Sequence, residues 1–142
     1  YIEAGHAENA KLLCGGKRTL EETGGVYVEP TIFDNVTNSM RIAAEEIFGP
    51  VLSVITFDTT EEAIQIANDS IYGLAAAIWT SNLSKAHLAA KALRVGSMWV
   101  NQYDVGDMTA PFGCFKQSGN GRDKSLHAFD KYTELKATWI KL

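Results

Sequence analysis

Val51-Leu52-Ser53-Val54-Ile55-Thr56-Phe57, followed by Asp58-Thr59-Thr60-Glu61-Glu62, is the stretch whose reading decides the fold. The first run is mostly apolar and rich in β-branched residues, the pattern of a strand buried on both faces. Thr59, with Glu62 three residues on, forms a capping box, so a helix starts there. That helix is expected to bury Ala63, Ile66 and Ala67 on one face and to end between Asn68 and Gly73. The pattern then repeats. Ala75 to Trp79 reads as a second strand, and Ser81-Asn82 opens a helix with the apolar stripe Leu83, Ala86, Ala90 and Leu93. Gly96 leads into a third strand, Ser97 to Asn101. Strands alternating with helices across short connections predict right-handed crossovers and a parallel sheet, so the fold class is α/β.

Working outward, residues 1–50 carry Gly15-Gly16, Gly24-Gly25 and Glu29-Pro30, punctuation for short strands and loops. Residues 51–101 form the βαβαβ core and residues 102–119 a loop rich in glycine and polar side chains. Residues 120–142 divide into a helix opening at Asn120-Gly121-Arg122-Asp123 and running to about Phe129, then a terminal strand, Tyr132 to Ile140. Along that strand Tyr132, Glu134, Lys136 and Thr138 alternate with Thr133, Leu135, Ala137 and Trp139, and such a strand needs a sheet to join.

Composition narrows the class. With 46% hydrophobic and 21% charged residues among 142, the chain has globular values, which exclude disordered and fibrous types. The formal net charge of -4 comes from interleaved acidic and basic residues, so no basic stripe points to nucleic acid. No apolar run approaches the length of a membrane-spanning helix. The chain begins at Tyr1 with no basic-then-apolar leader, as expected of a piece of a longer protein. Cys14 and Cys114 form no metal or redox spacing, and a reduced cytoplasmic setting fits them. His6, His87 and His127 are scattered, so no metal site is expected. The Asn-x-Ser/Thr triplets at Asn35, Asn68 and Asn82 read as chance matches.

Two short runs carry chemistry. In Glu45-Glu46-Ile47-Phe48-Gly49-Pro50 a stiff Gly-Pro turn is placed to hold the preceding side chains at the lip of a parallel sheet, where α/β proteins bind ligands. A carboxylate there accepts hydrogen bonds from ribose hydroxyls, and an aromatic ring walls a flat ring. From spacing alone, the competing reading is two solvated glutamates and a core phenylalanine. The second run is Pro111-Phe112-Gly113-Cys114-Phe115-Lys116-Gln117-Ser118-Gly119.

In this order the two runs resemble the last third of an NAD(P)-dependent aldehyde dehydrogenase. The similarity extends from Leu12-Leu13-Cys14-Gly15-Gly16, read as a buried strand, to the C-terminus. It takes in Tyr27-Val28-Glu29-Pro30-Thr31-Ile32-Phe33 and Asn68-Asp69-Ser70-Ile71-Tyr72-Gly73-Leu74. The resemblance implies that Glu46 meets the nicotinamide ribose of NAD or NADP and that Phe48 lies beside the nicotinamide. It places residues 101–108 in the loop through which substrate enters. There Asp104, Gly106 and Asp107 line the aldehyde tunnel, with Gly106 where many relatives carry a bulky aromatic, and Phe112 beyond the loop adds an aromatic wall. A wider, more anionic mouth is expected, suited to a long, polar or amine-bearing aldehyde, although an ordinary polar surface loop is an equal reading. Glu134 matches a glutamate facing the active-site water channel. In that partly buried place its pKa would be raised, suiting it to relay protons; an exposed strand residue paired with Lys136 is the alternative.

Cys114 departs from the family pattern, where glycine is usual. A side chain would resist a positive-φ or closely approached backbone there. No base falls at a spacing that would activate it, so Cys114 reads as a packing residue. The tail Lys116 to His127, with Gly106-Asp107-Met108-Thr109, looks like the γ-glutamyl-γ-aminobutyraldehyde dehydrogenase branch, which acts in putrescine breakdown. The implied reaction is oxidation of a small-molecule aldehyde to a carboxylate: a cysteine thiolate attacks, hydride leaves to NAD(P)+, and water hydrolyses the thioester. By that resemblance the nucleophile, the general-base glutamate and the phosphate-binding turn precede Tyr1. The isolated chain would then be inactive, and Tyr132 to Ile140 would be the strand of a homo-oligomer, a dimer or tetramer. The alternative is a non-catalytic module that joins a partner through that strand.

Overall fold

The computed structural model describes residues 1–142, which divide into two compact units, 1–70 and 71–142. The division falls between the first long helix and the strand that follows it, inside the stretch read from sequence as one βαβαβ core.

The first unit begins with helix α1 (Ile2–Ala7) and strand β1 (Lys11–Cys14). The hairpin β2 (Arg18–Thr19) and β3 (Tyr27–Val28) follows, and then β4 (Thr31–Asp34). Helix α2 (Arg41–Ala44), strand β5 (Val51–Ser53) and helix α3 (Thr60–Asn68) complete it. The sheet runs β1-β4-β5, with β4 antiparallel to β1 and parallel to β5. Phe33 of β4 is fully buried and anchors a core with Ala10, Val36 and Ile42. The Val51–Phe57 run reaches only Ser53 as a strand, although Val54 donates to the Phe33 carbonyl and Val36 donates back to Val54. Its parallel neighbour is β4, upstream of it, not the strand that follows α3.

The capping box forms with a one-residue offset. Glu62 N donates to Thr59 Oγ1 at 3.1 Å, while the Glu62 carboxylate accepts from Asp58 N, not from Thr59 N. On α3, Ala63 and Ile66 are half-buried as expected, but Ala67 is exposed. Cys14 lies on β1 as read, yet it is exposed, on an edge strand of the sheet.

The second unit contains β6 (Tyr72–Gly73), β7 (Ala75–Ile78), helix α4 (Leu83–Ala92), β8 (Ser97–Val100), β9 (Phe112–Gly113), β10 (Phe115–Lys116) and β11 (Arg122–Asp123). A 3-10 turn, Leu126–Lys131, follows. β7 and β8 pair in parallel across α4, the crossover that the sequence predicted. Asn82 caps α4 by accepting from Lys85 N at 3.0 Å. The buried stripe of α4 is Ala86 and Ala89 with Leu93 half-buried, so it is rotated from the expected one: Leu83 and Ala90 are exposed.

Two expectations near the C-terminus do not hold in the single chain. The helix from Asn120 does not form, because Gly121, Lys124 and Ser125 all take positive φ and turn the backbone out of helical geometry. Arg122–Asp123 instead pairs antiparallel with β9. Residues 133–142 form no ladder and are exposed throughout, with Leu135 at 105% and Trp139 at 89% of full accessibility. A strand exists by virtue of its neighbour, and this segment has none within the chain.

Candidate functional site

Helix α2 ends where the first motif begins, and the two glutamates part company there. Arg41 reaches Glu45 one helical turn on, donating from Nε at 3.0 Å and from a terminal nitrogen at 3.1 Å. The Tyr1 hydroxyl donates to the same carboxylate at 2.8 Å. The Arg41 hydrogen bond, then that of Tyr1, holds the Glu45 carboxyl below the usual carboxylate range. Glu46 is exposed and makes no hydrogen bond or ion pair within the chain, so its acceptor capacity is left for a ligand.

Phe48 is 93% exposed and takes a left-handed backbone, φ 54°. It is therefore not the core residue that spacing alone allows. A bulky side chain held at positive φ with its ring in solvent costs of order 1–3 kcal/mol, a cost characteristic of ligand sites. Glu46 and Phe48 line one cavity of about 480 Å³, together with Ile47, Val51, Ile55 and Ile66. That volume lies within the ordinary range for small-molecule sites. An open carboxylate and an exposed ring over aliphatic walls fit the ribose and flat base of a nicotinamide nucleotide. One part of the sequence reading is corrected. The motif precedes β5 and thus lies at the amino end of the parallel β4–β5 pair, so the carboxyl-end rule is not what marks the site.

The second motif is a structural clasp. Ser118 Oγ accepts from Gly73 N at 2.9 Å, and Gln117 N donates to the Ile71 carbonyl, extending the β10–β6 pairing. The Phe115 ring stacks with the Arg94 and Arg122 guanidiniums, 5.4 and 5.2 Å from its centroid. Gly113 is buried, and its carbonyl packs directly on Gly96. Cys114 has no positive φ, so this backbone accepts a side chain where the family pattern has glycine. Its carbonyl accepts from Arg122 at 2.9 Å, and its thiol is half-buried.

Asp104, Gly106, Asp107 and Phe112 line a second cavity, of about 590 Å³, within the second unit. The Trp99 indole fixes the loop by donating to the Val105 carbonyl at 2.6 Å, with the Tyr103 ring 5.3 Å from its own. Asp107 Oδ1 accepts from both the hydroxyl and the N–H of Thr109, at 2.6 and 2.7 Å. Those two bonds, with a smaller contribution from Lys124, hold the Asp107 carboxyl below its usual range. A depressed carboxylate contributes stability that is present above its unfolded pKa and is lost only as pH falls through the lower folded one. Asp107 therefore keeps its charge to a lower pH than an ordinary aspartate does. In a complete enzyme whose substrate amine meets Asp107, the KM for that substrate should accordingly stay flat between about pH 5 and about pH 8. A steep rise in KM on acidification within that range would show that Asp107 is not the charge being met.

Sequence reasoning missed Lys124. Ser125 N donates to the Met108 carbonyl, and the β11–β9 pairing carries the chain back over the loop, so Lys124 joins the cavity wall. Its Nζ lies 5.5 Å from the Phe112 ring centroid. The mouth is of mixed charge, not simply anionic. No periodicity marks this residue, because pairing between short strands places it. Glu134 belongs to the exposed segment 133–142 and lines neither cavity. The burial expected around it is absent from the single chain.

Comparison with known proteins places the chain in a family. Residues 1–138 match the model of the aldehyde dehydrogenase family. The NADP/NAD-dependent aldehyde dehydrogenase PuuC of Escherichia coli is 52% identical over all 142 residues, which span 28% of its length. AldA of P. syringae, an indole-3-acetaldehyde dehydrogenase solved with NAD+, is 80% identical with a TM-score of 0.94, covering 100% of this chain and 29% of its own. The γ-glutamyl-γ-aminobutyraldehyde dehydrogenase of Burkholderia cenocepacia is 63% identical at a TM-score of 0.91, covering 97% of this chain and 28% of its own. The chain thus spans under a third of the length of these relatives, and it belongs to the aldehyde dehydrogenase family.

Proposed function

We propose that these residues are the C-terminal part of an aldehyde dehydrogenase that oxidises an aldehyde to a carboxylate with NAD(P)+. Glu46 accepts hydrogen bonds from the nicotinamide ribose, and Phe48 packs beside the nicotinamide. When bound, the cofactor supplies the hydride acceptor. The second cavity admits the aldehyde, with Asp104, Gly106, Asp107 and Phe112 at its mouth. The nucleophilic cysteine, the general base and the phosphate-binding turn belong to the remainder of the protein, so the chain alone is inactive. The observation that carries this reading is Phe48: an aromatic ring held in solvent by a strained backbone, beside a glutamate with no partner of its own.

Three finer points complete the proposal. The substrate is a polar aldehyde of the γ-glutamyl-γ-aminobutyraldehyde type, as in putrescine breakdown, supported by the Burkholderia relative and the charged mouth. An indole-bearing aldehyde is the second reading, favoured by 80% identity to the P. syringae enzyme and by Trp99 and Phe112 on the cavity wall. The exposed segment 133–142 pairs with another subunit of a homo-oligomer, where Glu134 becomes buried and takes up its proton-relay role. The protein works in the cytoplasm, in keeping with two unpaired cysteines, and no helix is long and apolar enough to cross a membrane.

Turnover is the test. The complete gene product should form one NAD(P)H for each carboxylate when given either aldehyde, and the 142-residue chain alone should form none. The preferred aldehyde will show the higher kcat/KM. Turnover by the chain alone would overturn the division of labour.

A further inference from the structure

We propose that Lys124 reads a carboxylate at the far end of the substrate, and that Gly106 keeps its ammonium open to do so. This rests on the aldehyde reading of the second cavity. Lys124 is half-buried on the cavity wall, and its ammonium makes no hydrogen bond or ion pair within the chain. Its Nζ faces the ring of Phe112, 5.5 Å from the centroid. Asp107 is close enough to interact electrostatically, but one of its oxygens already serves both Thr109 donors. An ammonium partly removed from water, with a π-face and a carboxylate already engaged by Thr109 as its surroundings, gains from an arriving anion.

Gly106 explains why the charge stays accessible. A β-carbon there would sit 3.2 Å from Lys124 Nζ, so any larger side chain would cover the ammonium or displace it. The backbone around Lys124 is also committed, with φ 59° and the Ser125–Met108 hydrogen bond holding its position. Glycine at 106 and lysine at 124 therefore act as a pair, one vacating space and the other supplying charge. A carboxylate at the end of a flexible chain meets the ammonium while its aldehyde points inward. Asp104 and Asp107 remain on the same wall to receive an amine, so a zwitterionic amino-acid head group satisfies both signs.

The experiment compares two aldehydes of nearly equal length on the complete enzyme: glutaric semialdehyde, which ends in a carboxylate, and its neutral methyl ester. Lys124→Met should raise KM for the semialdehyde about ten-fold with kcat nearly unchanged, and should leave the ester unaffected. Lys124→Arg should keep most of the preference. In the wild type, added salt should raise KM for the semialdehyde only. If Lys124→Met fails to fold, the arginine variant and the salt series decide. Equal effects on both substrates, or no salt dependence, would overturn the proposal while leaving aldehyde oxidation intact. A wild-type enzyme that oxidises neither compound nor any other aldehyde would remove the aldehyde reading, and this proposal with it.

Discussion

Glu46→Gln in the complete protein is expected to slow hydride transfer by about ten- to a hundred-fold and to leave folding stability almost unchanged. The carboxylate is exposed and engages nothing in the chain, so exchanging it for an amide costs the fold within about 0.5 kcal/mol. On the proposed role of Glu46, the variant would lose a charge-assisted hydrogen bond to the ribose, of about 1.5–3 kcal/mol. If that bond orients the nicotinamide, the loss appears in the chemical step. Single-turnover measurement with cofactor pre-bound is the appropriate readout. Glu45→Gln is the internal control. It breaks the contacts to Arg41 and Tyr1 yet should leave hydride transfer as it was. Equal rates for wild type and Glu46→Gln would remove Glu46 from the cofactor site.

Gly96→Ala is expected to have the largest effect on stability. A β-carbon at Gly96 would fall 1.7 Å from the Gly113 carbonyl oxygen and 2.6 Å from its carbon. Both are backbone atoms, so no rotamer change relieves the clash. Gly96 N is itself held by the carbonyls of Gly73 and Leu74, which blocks retreat in the other direction. Overpacking usually costs about 1–3 kcal/mol, and a backbone collision of this kind lies above that, about 4–5 kcal/mol. That is comparable to the whole stability of many domains. The variant should appear as lost soluble yield or a large fall in Tm. Gly49→Ala is the contrast, because its nearest neighbour would be 3.8 Å away and stability should barely move. A Gly96→Ala protein as stable as wild type would mean that the β9 backbone does not rest on Gly96.

Local patterns were readable where local physics sets them. The caps at Thr59 and Asn82 follow from spacing within a few residues, and the parallel pair β7–β8 follows from the strand–helix–strand order with short connections. The division of roles between Glu45 and Glu46 was half-readable. Arg41 stands four residues before Glu45, the separation at which helix neighbours pair, and that signal was available. The exposure of Phe48 was not, because only the backbone turn places its ring in solvent. Lys124 was invisible for a related reason. It reaches the cavity through the positive-φ turn and the β9–β11 pairing, both set by contacts distant in sequence. The expected helix at 120–129 failed at the same turn. The terminal segment keeps its alternating pattern without a ladder, since alternation marks the capacity to pair and no strand of this chain lies beside it.

The dependence of these residues on a longer chain is tested most directly by the intact mass of the protein made from its native gene. A chain of which these residues form 28% would weigh about 55 kDa, against 15.5 kDa for the 142 residues alone. A product near the larger mass, carrying this sequence at its C-terminal end, is the predicted result. A native product of 15.5 kDa would contradict it. The cavity beside Glu46 and Phe48 would then have to bind its ligand without the rest of a dehydrogenase.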